Sequence, residues 1–274
     1  DMPNAIIARG TRRLGVKIAR HRFSDPDRGM SMLDETLARS RPVGLQTGVF
    51  WLPYFPRDMR FQFNGHHVIA YGKEADDYLL SDTVFEDVVR CPSDDLRRAR
   101  FAKGPLAPRG LLYYIESVTH EPDLIRAVRA GLDSTASRML RVPVPYLGIR
   151  GIRTLARAIR RWPQRLPAKT AKHWLANVIR MQEEIGTGGG GFRFMYAAFL
   201  DEAGDLLNQP GLHQASSAMT EAGDRWREFA VQSAHILRSS EHSVAAYGLV
   251  ADIVMDCAAR EERVFRLVRE ALRT

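Results

Sequence analysis

After Pro122 the apolar residues change their period. Before about Ser117 they come as short runs rich in β-branched and aromatic side chains, at 43–51, 66–72, 78–81 and 111–115, set apart by Pro, Gly and Asp clusters. Beyond it they recur every three to four residues over long stretches. A period near two marks strands and a period near 3.6 marks helices. The expected fold class is therefore α+β, with an antiparallel-sheet domain over 1–118 followed by an all-α helical domain over 119–274. The boundary is soft between Ser117 and Val144, because Pro143 and Pro145 also mark a loop. In the first part, helices are expected over 30–39, started by Asp25-Pro26, and over 94–102 with Ser93 as N-cap. In the second they are expected over 124–132, 151–162, 172–185, 192–208, 216–239 and 244–272, the last two broken.

A chain of 274 residues with 45% hydrophobic and 26% charged positions can bury a large core, which excludes disorder as its organising principle. It contains no run of about 20 apolar residues, so no membrane-spanning helix and no membrane partner are expected. Two cysteines, Cys91 and Cys257, make neither a disulfide scaffold nor a zinc ribbon. The default is a reducing compartment, hence a cytoplasmic protein. The first residue is Asp1 and no signal peptide follows, so the chain is expected to lack its native beginning or to be processed.

The net charge of +8 is local. Residues 138–172 hold ten basic side chains and no acidic one, which leaves the rest of the chain slightly acidic. Ile152, Leu155, Ile159 and Trp162 recur there at helical spacing, while Arg150, Arg153, Arg157, Arg160 and Arg161 take the other positions. An amphipathic helix with a basic outer face follows. It is either a solvated arginine surface or a docking surface for an acidic protein, a phosphorylated substrate or nucleic acid. Because the charge is confined, nucleic acid is the less favoured partner.

Chemistry concentrates in Gly65-His66-His67-Val68-Ile69-Ala70-Tyr71-Gly72, a polar turn at 73–77, and Tyr78-Leu79-Leu80-Ser81-Asp82. Two strands joined by a tight turn centred near Ala75 or Glu74 would form an antiparallel hairpin. With the centre at Glu74, position i pairs with 148 − i, which sets His66 directly opposite Asp82 and His67 opposite Ser81 on the other face. A carboxylate on an imidazole fixes its tautomer and stabilises the imidazolium, which is what a cysteine or serine nucleophile requires of its base. The same arrangement also occurs as a satisfied structural pair.

A His, a glycine six residues on and an Asp sixteen on, here His66, Gly72 and Asp82, resembles the spacing of papain-like cysteine peptidases and the related bacteriocin-leader peptidases. The segments Leu33-Asp34-Glu35-Thr36-Leu37, Pro42-Val43-Gly44-Leu45-Gln46, Leu52-Pro53-Tyr54-Phe55-Pro56, Phe63-Asn64-Gly65-His66-His67 and Arg98-Ala99-Arg100-Phe101-Ala102-Lys103-Gly104 resemble the family of the butirosin-biosynthesis acyltransferase BtrH. The second half, with Gly186-Thr187-Gly188-Gly189-Gly190-Gly191-Phe192-Arg193 and Trp226-Arg227-Glu228-Phe229, resembles the helical domain of unknown function that often follows it. The resemblance implies a papain-like fold and thiol chemistry, with acyl transfer from an acyl carrier protein to an amine as the best-known activity. It also implies a nucleophilic cysteine and an oxyanion-hole donor upstream, neither of which this sequence supplies. Cys91 follows the histidine and Cys257 reads as helix core.

His66 and Asp82 are therefore the expected catalytic residues, and Gln46, Trp51 and Tyr54 the expected substrate-binding ones, with a packed aromatic corner as the alternative for the last two. Arg150, Arg153, Arg157, Arg160 and Arg161 are expected to dock an acidic acyl carrier protein. No cofactor is expected. The other histidines, His21, His120, His173, His213, His235 and His242, lack metal-ligand spacing, although His235 and His242 are seven apart and could share a helix face. The glycine run satisfies G-x-G-x-x-G but follows a helix, so it is expected to be a helix stop and hinge; exposed amides at the next helix start, with Arg193, are the alternative, as a phosphate site. The expected function is a truncated or processed papain-like thiol acyltransferase or amidase. A leader-type cysteine peptidase and a non-catalytic binding protein of the same fold are the alternatives, and the oligomeric state is left open.

Overall fold

The computed structural model describes residues 3–119, 121–184, 189–239 and 242–273. His120, Gly186, Thr187 and Gly188 lie outside them. The chain divides into two compact units, 1–123 and 124–274.

The first unit runs α1 (Pro3–Arg13), β1 (Val16–His21), α2 (Pro26–Leu37), β2 (Val43–Thr47), β3 (His66–Glu74), β4 (Asp77–Ser81), β5 (Val89–Pro92), α3 (Ser93–Arg100) and β6 (Leu112–Val118). Its strands form one antiparallel sheet in the order β1-β6-β2-β3-β4-β5. Helix α2 begins where Asp25 accepts from the amide of Asp27 and Pro26 fixes the first helical φ. Its Leu33 and the Leu96 and Ala99 of α3 pack on the sheet face made by Val43, Leu45, Val68, Ala70 and Leu80, all fully or almost fully buried. Each such leucine contributes about 2 kcal/mol of apolar burial. Ser93 is not the α3 cap: it is the first helical residue, and its hydroxyl donates to Asp76 O across the hairpin end. Strands β1 and β5 and helix α1 are additions to the sequence expectation. The two strands are short edges of the sheet, and β1 carries its charges at Lys17 and Arg20, three positions apart across a register shift at Lys17/Ile18, which conceals its period.

The second unit is helical: α4 (Leu124–Arg141), α5 (Gly148–Arg165), α6 (Ala168–Glu183), α7 (Arg193–Leu207), α8 (Pro210–Arg238) and α9 (Val244–Ala271). Two apolar clusters hold it together. Leu132, Leu200, Leu212, Met219 and Phe265 join α4, α7, α8 and α9, while Ile159, Trp162, Leu175, Trp226, Phe229 and Val254 join α5, α6, α8 and α9. The two long helices are unbroken, contrary to expectation, because both clusters use α8 and α9 and bury one stripe along each. His235 and His242 share no helix face, since α8 ends at Arg238 and His242 precedes α9. No helix among the described residues is long and apolar enough to cross a membrane.

Candidate functional site

The hairpin of β3 and β4 turns at Ala75-Asp76, not at Glu74, and Ala75 takes a left-handed φ of 52° to close it. Glu74 therefore pairs with Asp77, Lys73 with Tyr78 and Gly72 with Leu79. At Tyr71 one extra residue enters β3, and beyond it Ala70 pairs with Leu80 and Ile69 with Ser81. Continued by one residue, this register sets Asp82 opposite Val68, two positions from His66. The two site residues are diagonal neighbours, not direct partners, and they share the face of Val68, Ala70 and Leu80.

Within that face His66 Nε2 and Asp82 Oδ2 lie 2.7 Å apart. The Asp82 side chain is fully buried, and the imidazole keeps only 12% of its surface exposed. Tyr54 Oη donates to the same Oδ2 at 2.8 Å, and the amide of Val84 donates to Oδ1 at 3.0 Å in a tight Asx-type turn. Burial alone would push the Asp82 carboxyl up; the His66 hydrogen bond and charge, the Val84 amide and the Tyr54 hydroxyl outweigh it and hold the group below the ordinary carboxylate range. Tyr54 is in turn driven to a high pKa by burial and by the adjacent carboxylate, so it stays a donor. Phe55 stands edge-on to the His66 ring at 5.6 Å and to Phe85 at 4.9 Å, walling the pair on its apolar side. The loop that carries Tyr54 and Phe55 is clipped by Arg60, which donates to the carbonyls of Phe55 and Pro53. With Nε2 engaged, the ring's Nδ1 is left for a proton-transfer partner.

His67 takes the other face. Its Nδ1 lies 3.2 Å from Tyr113 Oη, and burial, then the neighbouring charges of His66 and Arg20, lower its pKa to about 4. The Tyr113 ring reaches it across Gly44, where a Cβ would overlap the ring.

The three expected substrate-binding residues do not converge. Gln46 pairs with His67, so it lies on the face away from His66, and its amide donates to the carbonyls of Asn64 and Leu106 at 2.8 Å each, tying two loops together. Trp51 stands edge-on to Phe50 at 5.2 Å and lines a separate depression of about 580 Å³ with Gln62, Phe101 and Lys103. Tyr54 belongs to the Asp82 cluster. That role, together with the Val84 amide, was missed in the sequence; the Asp82-Thr83-Val84 turn was its one local signal.

Neither thiol serves this histidine. Cys91 is fully buried in β5 opposite Tyr78, with Sγ 3.7 Å from Pro92 O, and burial followed by the charges of Asp95 and Asp77 pushes it up to about 12. Burial in α9 and then Glu261 put Cys257 at about 12 as well. No group of three or more His, Cys, Asp or Glu among the described residues is placed to hold a metal ion.

In the helical unit, α5 buries Ile149, Ala156, Ile159 and Trp162 and exposes its arginines, but not all of them are free to dock. Arg153 pairs with Glu262 and Arg160 with Asp252, both on α9. The glycine run takes left-handed backbone at Gly189, Gly190 and Gly191, and Phe192 has φ 69°. The phosphate alternative for Arg193 fails: its guanidinium is spent on buried Glu261 at 2.9 Å, on Gln182 and on the carbonyl of Gly191.

No curated protein matches the chain. Residues 1–83, which include both His66 and Asp82, match the family model described as butirosin biosynthesis protein H, N-terminal. A second model covers 94–268, so it begins inside the sheet unit and takes in α3 and β6. With most of its length under that model, the chain belongs to the family described as domain of unknown function (DUF4872), preceded by a segment similar to the N-terminal part of butirosin biosynthesis protein H.

Proposed function

We propose that the sheet unit is the base-bearing part of a papain-like thiol acyltransferase or amidase, which moves an acyl group from an acyl carrier protein or similar thioester donor to an amine. The observation that carries this reading is the 2.7 Å contact of His66 Nε2 with a buried, triply hydrogen-bonded Asp82, inside the segment similar to butirosin biosynthesis protein H.

His66 is the general base and Asp82 its positioning residue. Held through Nε2, the imidazole takes the proton of a thiol at Nδ1 and becomes the imidazolium that Asp82 stabilises. The thiolate attacks the thioester carbonyl, the donor's thiol leaves with that proton, and the acyl group rests on sulfur. An amine then attacks, gives its proton to His66, and the first thiol is regenerated. Because Cys91 and Cys257 are buried with raised pKa values, the sulfur in this scheme comes from outside these 274 residues. The acidic carrier would dock on the outer face of α5 near Arg150, which meets no carboxylate among the described residues, whereas Arg153 and Arg160 are already paired with α9.

The test offers the full-length natural protein a carrier-bound acyl group with an amine, and in parallel a peptide amide. Amide formation from the thioester that is lost in His66→Ala, with the thermal melt unchanged, supports the assignment. Cleavage of the peptide amide instead makes the protein a leader-type peptidase, and His66→Ala activity equal to wild type sinks the base assignment altogether.

A further inference from the structure

The arginines of α5 sort into two rows. Arg153 and Arg160 face α9 and are neutralised by Glu262 and Asp252. Arg157, Arg161 and Arg165, four residues apart, form a second row about 12 Å long. Arg157 bonds only within its own helix, to Arg153 O at 3.2 Å and Thr154 Oγ1 at 3.1 Å. No carboxylate among the described residues meets any of the three.

Like charges at this spacing repel one another along a helix, so the row has a standing demand for an anion. It does not lie on a convex ridge. The three arginines line a depression of about 400 Å³ whose other side is Trp174 of α6. Trp162 is almost completely buried beneath, and its ring meets Trp174 edge-on at 5.8 Å and 83°. That contact holds Trp174, which is 46% exposed, with an indole surface open to solvent. A volume of this size holds a small molecule, not a protein surface.

Guanidinium groups match phosphate oxygens in a bidentate fork, and an exposed indole offers a stacking surface for a planar ring. We propose that this groove binds an aromatic phosphate ester of the nucleotide type, with the phosphates on Arg157, Arg161 and Arg165 and the ring on Trp174. The proposal is independent of His66 and Asp82. It differs from docking of an acidic protein on the same helix in requiring an indole and a compact polyanion.

The test is calorimetric titration of the full chain with ATP, with inorganic tripolyphosphate and with adenosine. ATP should bind saturably and at least fivefold more tightly than tripolyphosphate, and adenosine weakly. Arg161→Glu/Arg165→Glu should weaken ATP at least tenfold, with Arg161→Gln/Arg165→Gln as the milder pair should the charge reversal fail to fold. Trp174→Ala should remove the preference for ATP while leaving tripolyphosphate unchanged, and Trp174→Phe should restore part of it. Absence of saturable ATP binding at millimolar concentration would overturn the proposal. Equal affinity for ATP and tripolyphosphate, or displacement of ATP by polyglutamate at equal charge concentration, would overturn it too.

Discussion

Asp82 accepts from His66 at 2.7 Å across a hairpin in which Val68, not His66, stands opposite it, and this diagonal exists because Tyr71 adds one residue to β3. Without that bulge, the register that pairs Gly72 with Leu79 would carry on unshifted and bring Asp82 opposite Ile69, on the outer face. The bulge therefore decides whether the imidazole has a carboxylate at all. Asp82→Asn keeps the shape and removes the charge, so acyl transfer by the full-length protein should fall about 100-fold or more. Deleting Tyr71 removes the extra residue but keeps Ala70 opposite Leu80 and Val68 opposite Asp82, so it should retain most of the transfer while circular dichroism still reports a folded sheet unit. Turnover lost in the deletion with the sheet still folded would show that register does not control the pair.

Tyr54 is one of three donors on Asp82, and its loss should be felt as stability more than as rate. Tyr54→Phe leaves the His66 contact in place and should lower stability at pH 7 by about 1 kcal/mol. The carboxyl has a depressed folded pKa, so its contribution is present above the unfolded value of 3.8 and is lost as pH falls through the lower folded one. With a donor removed the folded pKa moves back toward 3.8, so that acid-linked loss should be smaller and finish at higher pH. Urea midpoints measured from pH 7 down to pH 3 in both proteins check this, and superimposable curves would remove Tyr54 from the account.

His67 gives the opposite face a pH dependence of its own. Its pKa falls from 6.5 unfolded to about 4 folded, so the folded state resists its protonation. The associated stability is fully present above 6.5 and drains away as pH drops toward 4. Discounted for partial solvent screening, the loss between pH 7 and pH 5 is about 1–2 kcal/mol. Replacing His67 with Gln, which can still accept from Tyr113, should flatten the stability curve over that window. An unchanged slope would mean that other groups carry it.

The sheet-then-helices order, the strands of the hairpin and the His66–Asp82 pairing were legible because period and spacing are local properties of a sequence. The register was not. A two-residue turn at Ala75-Asp76 and an added residue at Tyr71 offset one another in parity, so a hairpin centred on Glu74 also brings the two residues to one face, although it makes them direct partners. Gln46 shows the same sensitivity: one residue's difference in a strand exchanges the faces, and its neighbours Leu45 and Thr47 lie on the side of Val68 and His66. The ion pairs that consume Arg153, Arg160 and Arg193 link residues 68 to 109 positions apart, and no periodicity within α5 or α7 reports them.

Glu261 is among the features hidden from the sequence reading, and it invites the most direct stability test. It sits in α9 at 2% exposure, where Oε1 accepts from Trp226 Nε1 at 2.7 Å and from Arg193 Nε at 3.0 Å. Arg193 also lies over the Trp226 ring at 4.9 Å and donates to the carbonyl of Gly191, so one carboxylate holds the start of α7 and the left-handed segment 189–192 against α8 and α9. Glu261→Ala leaves a guanidinium and an indole N–H without their acceptor in a low-dielectric site, and should cost about 3–5 kcal/mol in urea denaturation. Glu261→Gln keeps an acceptor for Trp226 and should cost less, about 1–3 kcal/mol. Removing both charges in Arg193→Met/Glu261→Leu should recover most of the stability lost in Glu261→Ala, since apolar side chains need no partner there. If the double variant were less stable than Glu261→Ala, the left-handed segment would depend on the Arg193 bonds to Gln182 and Gly191 instead, and the carboxylate would be secondary.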